Sequence, residues 1–167
     1  MKPIVNRVSK SPLISIDLEE YYPSERRVIL DIAPWLENKM VLKEKQFRKT
    51  VKNHNWESYK NCYVAINCSS QAIIPSWAYL LVSSNLAPYA KEQVVGDLDL
   101  LETVIFSKII DNLDLNIYKN KPLIIKGCSN KPIPNSAYVA LIKKLQPVAK
   151  SIMFGEACSA VPIFKKK

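Results

Sequence analysis

Apolar positions along this chain fall into two periodicities. Short segments rich in β-branched residues, Tyr63 to Asn67, Glu92 to Val95, Leu123 to Lys126 and Ser151 to Phe154, are bounded by polar turn residues and predict strands. Leu98, Leu101, Val104, Ile105, Ile109 and Leu113 recur at steps of three and four, which predicts an amphipathic helix over Asp97 to Asp114. Two more strands are expected at Leu13 to Leu18 and Arg27 to Ile32, and a helix from about Leu42 to His54. Pro75 and Pro134 each mark the first turn of a helix, because the fixed φ of proline suits that position. Those helices should close near Leu86 and Leu145, where a Leu-x-Pro sequence disfavours helical backbone.

The two proline-led helices belong to an internal repeat. Ile74-Pro75-Ser76-Trp77-Ala78-Tyr79 returns 59 positions later as Ile133-Pro134-Asn135-Ser136-Ala137-Tyr138. At the same offset Leu86 to Asp97 lies over Leu145 to Glu156, with Leu, Pro, Ala, Lys and Gly coinciding. Upstream, Cys68-Ser69 answers to Cys128-Ser129. Each copy, about 62–97 and 122–156, reads as strand, loop, helix, strand. Short strands joined through helices predict an α/β fold: a mostly parallel sheet with helices on both faces, built from two duplicated βαβ units plus the N-terminal strands. One domain over 1–167 is expected, with the basic end Ile163 to Lys167 frayed.

Composition narrows the chemistry. With 48% hydrophobic and 23% charged residues the chain can bury a core. Its three glycines cannot assemble a GxGxxG turn or a GxxxxGK[ST] loop, and its single histidine excludes HExxH, three-His and two-His metal sites. Asn61 to Ala90 contains no Asp, Glu, Lys or Arg, but Asn67, Gln71, Pro75 and Pro88 interrupt it short of a membrane span. No apolar run of signal-peptide length opens the sequence, so a cytoplasmic location with reduced thiols is expected.

Three of the four cysteines precede a serine: Cys68, Cys128 and Cys158. Cys68 and Cys128 fall just past the carboxyl ends of expected strands and Cys158 lies a few residues beyond the one ending near Phe154, on the edge where open α/β sheets bind ligands. Together with Asp97, Asp99 and Glu156 they offer soft and hard metal ligands, and one metal ion (zinc or iron) or an iron-sulfur cluster is the expected cofactor. His54 is the available fourth ligand, although a lone histidine at the end of a helix is more commonly a hydrogen-bonded core residue. Small buried thiols are the plainer alternative, and the absence of any CxxC pair favours it. Cys62 opens a strand at the opposite end from Cys68 and reads as packing, while Trp56, Trp77, Tyr79 and Tyr138 read as core or pocket walls.

The 24 Lys plus Arg exceed the 15 Asp plus Glu by a formal charge of +9. Lys45, Arg48, Lys49 and Lys52 share one face of the early helix. An acidic protein partner fits that face; nucleic acid fits less well, because no recognition motif or interleaved aromatic accompanies it. The residues therefore leave three functions open: a metal or cluster protein, an adaptor that uses the basic helix, and a cysteine-dependent enzyme acting on a small molecule. The oligomeric state is not readable.

Asn67 to Ser69, the segment Gly127 to Tyr138 (GCSxKPxPxSAY) and Met153 to Pro162 (MFGExCSxVP) resemble an uncharacterised bacterial family classed as a domain of unknown function. The resemblance extends nearly end to end, and Ala157 stands where the family pattern has proline. It implies a cytosolic role in iron-sulfur cluster or metal handling, with iron-sulfur assembly proteins as partners, and assigns no catalytic residue.

Overall fold

The computed structural model describes residues 13–127, 130–156 and 159–167. Its strands are β1 (Ile14–Ile16), β2 (Arg27–Asp31), β3 (Tyr63–Asn67), β4 (Glu92–Val95), β5 (Pro122–Ile125), β6 (Ser151–Phe154) and β7 (Val161–Lys165). The α-helices are α1 (Glu44–Asn53), α2 (Ser76–Leu86), α3 (Leu98–Asp111) and α4 (Asn135–Leu145). The fold is α/β and its strand pairs are parallel except the last. The strands form two sheets, ordered β2-β3-β4 and β1-β5-β6-β7. Each repeat copy recruits one N-terminal strand of its own, so the two copies share no sheet.

The chain accordingly divides into two compact units, residues 24–105 and residues 1–23 with 106–167. In the first, Phe47, Val51, Val64, Ile66, Ala78, Val82 and Leu86 are core residues. In the second, Phe106, Ile110, Leu123, Ile125, Ala137, Leu141 and Leu145 are. These are the same positions 59 residues on, so the duplication reaches back from the βαβ copies into α1 and the end of α3. Ala78, Val82 and Leu86 stand four apart on one stripe of α2, as Ala137, Leu141 and Leu145 do on α4. That spacing buries small and branched side chains, and Trp77, Tyr79 and Leu81 on α2, like Tyr138, Ala140 and Ile142 on α4, flank the stripe half-buried.

The backbone repeats as faithfully as the side chains. Tyr59-Lys60-Asn61 and Tyr118-Lys119-Asn120 lead into the central strands, and both asparagines take left-handed backbone, φ 57° and 55°. Asparagine tolerates that region because its short side chain bonds locally. The amide of Asn61 donates to the carbonyl of Tyr89 at 3.0 Å, and that of Asn120 to Val148 at 2.9 Å. Past the strand ends, the amides of Gly96 and Gly155 donate to Ile66 and Ile125, each at 2.9 Å.

The C-terminus departs from the expected frayed tail, since Val161–Lys165 pairs antiparallel with β6. A register irregularity between Ile152 and Met153 lets Pro162, which has no N–H to give, stand within this edge strand. No helix among the described residues is long and apolar enough to cross a membrane.

Candidate functional site

In the first unit, the carboxyl edge of the sheet is organised by Asp31, the last residue of β2 and the register partner of Asn67. Its Oδ1 accepts the amides of Ala33 (3.0 Å) and Ser69 (2.9 Å), and its Oδ2 accepts the Ser69 hydroxyl at 2.6 Å. One carboxylate thus closes the turn after β2 and clasps the loop after β3. Burial alone would raise the Asp31 pKa, but the hydroxyl and amide of Ser69 and the amide of Ala33 outweigh it and hold the group below the ordinary aspartate value. The serine after cysteine therefore fixes the loop, and the thiol before it is carried along. Cys68 is half-buried with Sγ 3.2 Å from the Ser70 hydroxyl. Tyr79 lies close enough that burial first, and then the charge of a Cys68 thiolate, raise its pKa.

The second unit repeats the turn closure and divides the remaining contacts between two carboxylates. Asp17 follows β1 and its Oδ1 accepts the amide of Glu19 at 2.9 Å, two residues on, as Asp31 accepts that of Ala33. Its Oδ2 is 3.4 Å from Lys126 Nζ, at the end of β5. The Glu19 carboxylate accepts the amide of Asn130, just beyond Cys128-Ser129. Gly127 approaches Phe154 closely, and an added Cβ would stand 2.4 Å from its ring and force that side chain to shift. The amide of Ser159 donates to the Glu156 carbonyl at 2.9 Å. Cys128 and Cys158 themselves lie outside the described residues. Strands β5 and β6 are parallel neighbours with Ile125 opposite Phe154, so these two cysteines follow adjacent strand ends in sequence.

His54 caps α1, with its Nε2 3.0 Å from the Tyr59 hydroxyl. Its ring centroid lies 5.0 Å from that of Trp35 and 4.8 Å from that of Trp56. Burial pushes its pKa below the ordinary histidine value, so the imidazole is favoured neutral. These surroundings are aromatic. Among the described residues no three His, Cys, Asp or Glu side chains gather into a metal-binding group. Cys62 is buried, with Sγ 3.6 Å from the Lys60 carbonyl and from Arg26.

The pocket-wall tyrosine and tryptophan divide between the units. Tyr138 borders a cleft of about 270 Å³ with Ile125, Val139, Ile142, Phe154 and Ile163. Trp77 borders a cleft of about 600 Å³ beside α1, where the Arg48 guanidinium lies 5.3 Å from its ring centroid. Asp17, Asp31 and the role of Ser69 escaped the sequence reading. A signal existed, because Ile16-Asp17-Leu18 and Leu30-Asp31-Ile32 place the same apolar-Asp-apolar triplet at both strand ends.

No curated protein and no solved structure matches the chain significantly. Residues 2–166 match a family described as a protein of unknown function, DUF2480. With the match covering nearly the whole sequence and both repeat copies, the chain belongs to the DUF2480 family.

Proposed function

We propose that this protein binds a metal ion or iron-sulfur cluster through thiolates at the carboxyl ends of its parallel strands, as an accessory factor in cluster or metal handling. The observation that carries the proposal is the clasped Cys-Ser loop of Asp31, Ser69 and Cys68, together with the recurrence of Cys-Ser after β5 and β6. A carboxylate that holds the loop by two hydrogen bonds, and is itself fixed by a third from the Ala33 amide, orders the backbone beside a half-buried thiol. Such preorganisation is what a soft-metal ligand needs, since a site that must order itself on binding loses affinity. Cys128 and Cys158 are the proposed ligand pair, and Cys68 is the equivalent thiol of the other unit. Thiolates of this kind would hold zinc, or iron within a sulfide cluster, and leave positions open for a ligand supplied by an assembly partner.

Metal and acid-labile sulfide analysis of anaerobically purified protein tests the proposal. Near-stoichiometric metal that falls when Cys128→Ser or Cys158→Ser is introduced supports it, and Cys68→Ser measures the contribution of the third thiol separately. Equal, low metal in the parent and in the variant lacking all three thiols overturns it.

A further inference from the structure

The cleft beside α1 adjoins the Cys68-Ser69 loop through Gln71, Ala72 and Ile73, but neither a thiol nor a member of the clasp lines it. Met40, Val41 and Leu42 line it from one stretch of chain, and Ile73, Pro75 and Trp77 from another. Ile73 is 93% exposed, and Met40 and Val41 are each more than half exposed, so aliphatic surface stands open to water. The stretch that supplies Met40, Val41, Leu42 and Glu44 to the lining, residues 39–52, carries six cations, Lys39, Lys43, Lys45, Arg48, Lys49 and Lys52, against the single carboxylate Glu44. All six are exposed. Lys43 is paired with Glu37 and Arg48 with Glu44, and the other four leave this stretch of chain strongly positive.

We infer that this cleft docks a short segment of a partner protein in which aliphatic or aromatic side chains alternate with Asp or Glu. The apolar residues enter between Met40 and Ile73, and the carboxylates meet the Lys45, Arg48 and Lys49 face of α1. Charge complementarity selects the acidic segment and raises its on-rate, while the aliphatic walls supply the anchor. Single-stranded nucleic acid is the poorer fit, because it needs aromatic faces for base stacking. The one aromatic in this cleft, Trp77, has the Arg48 guanidinium over its ring, and the remaining apolar walls are aliphatic or proline. This surface accounts for much of the net positive charge, which a thiolate site leaves unexplained.

Fluorescence anisotropy on the full chain tests the inference with a labelled peptide alternating Leu and Phe with Glu. Controls are the same peptide with Ser for Leu and Phe, and a single-stranded oligonucleotide. Saturable binding of the first peptide is expected, weakened roughly tenfold or more by Ile73→Asp and by the triple reversal Lys45→Glu, Arg48→Glu, Lys49→Glu. Circular dichroism confirms that these exposed substitutions leave the fold intact, and Ile73→Ser repeats the apolar test without adding charge. A variant carrying Cys68→Ser, Cys128→Ser and Cys158→Ser should bind the peptide unchanged, which separates this inference from the metal proposal. Absence of saturable binding, equal binding of the Ser peptide, or displacement of the peptide by the oligonucleotide at lower concentration overturns it.

Discussion

Replacing Asp31 by alanine removes all three hydrogen bonds of the clasp at once. Ala33 is fully buried, so its amide is left without its acceptor, at a cost of about 1–3 kcal/mol. Ser69 is exposed, and water replaces its two bonds at a smaller net loss of about 1 kcal/mol in all. The expected destabilisation is therefore about 2–4 kcal/mol. Asp31→Asn keeps one oxygen for the amides and loses the charge, which should cost about 1 kcal/mol. Because the folded-state pKa of Asp31 lies below the ordinary value, its contribution is complete above the unfolded pKa and disappears as pH falls through the folded one. Urea unfolding at pH 7 and again below about pH 4 reads both effects, with the gap between parent and Asp31→Ala narrowing in acid. The same variant should also speed modification of Cys68 by a thiol reagent when Cys128 and Cys158 are serine. An unchanged urea midpoint at neutral pH, or a gap that widens in acid, would refute the clasp.

Phe47→Ala and Phe106→Ala, at equivalent and fully buried positions, should each destabilise by about 3–5 kcal/mol in urea, and a loss at only one of them would deny the extended duplication. Asn61→Ala and Asn120→Ala should each cost about 1–2 kcal/mol through their left-handed backbone, whereas glycine at either place should cost little. His54 is the chain's single histidine, so its NMR titration is unambiguous and should fall below the ordinary histidine value. Burial disfavours its charged form, hence stability is full above about pH 6.5 and declines as pH drops towards the folded pKa. A titration at or above the ordinary value would contradict that burial.

Residues whose structure is set by local pattern were legible in the sequence. Strands β3, β4 and β6 occupy the expected positions, and α2 and α4 end at Leu86 and Leu145 as the following Leu-x-Pro sequences require. The helix expected over Asp97 to Asp114 closes at Asp111, and that from Leu42 starts at Glu44. What could not be read was pairing. β1 and β2 are alike in sequence, and nothing local shows that one joins β5 while the other joins β3, giving two sheets. β7 was obscured because Pro162 argues against a strand and only the irregularity opposite Met153 admits it. Within the candidate site, the cysteines were visible as a repeated dipeptide. Asp31 was not, because the 38 residues separating it from Ser69 are bridged only once β2 pairs with β3.

Titration of the reduced, metal-free chain with cobalt(II), followed by ultraviolet absorption, tests the thiolate site most directly. Cobalt occupies zinc and iron thiolate sites, and its sulfur-to-metal charge-transfer band reports bound thiolate. A band that saturates at a fixed low ratio of cobalt to chain, and that weakens with Cys128→Ser and again with Cys158→Ser, is the predicted result. A titration without such a band, or with one indifferent to both substitutions, would contradict it.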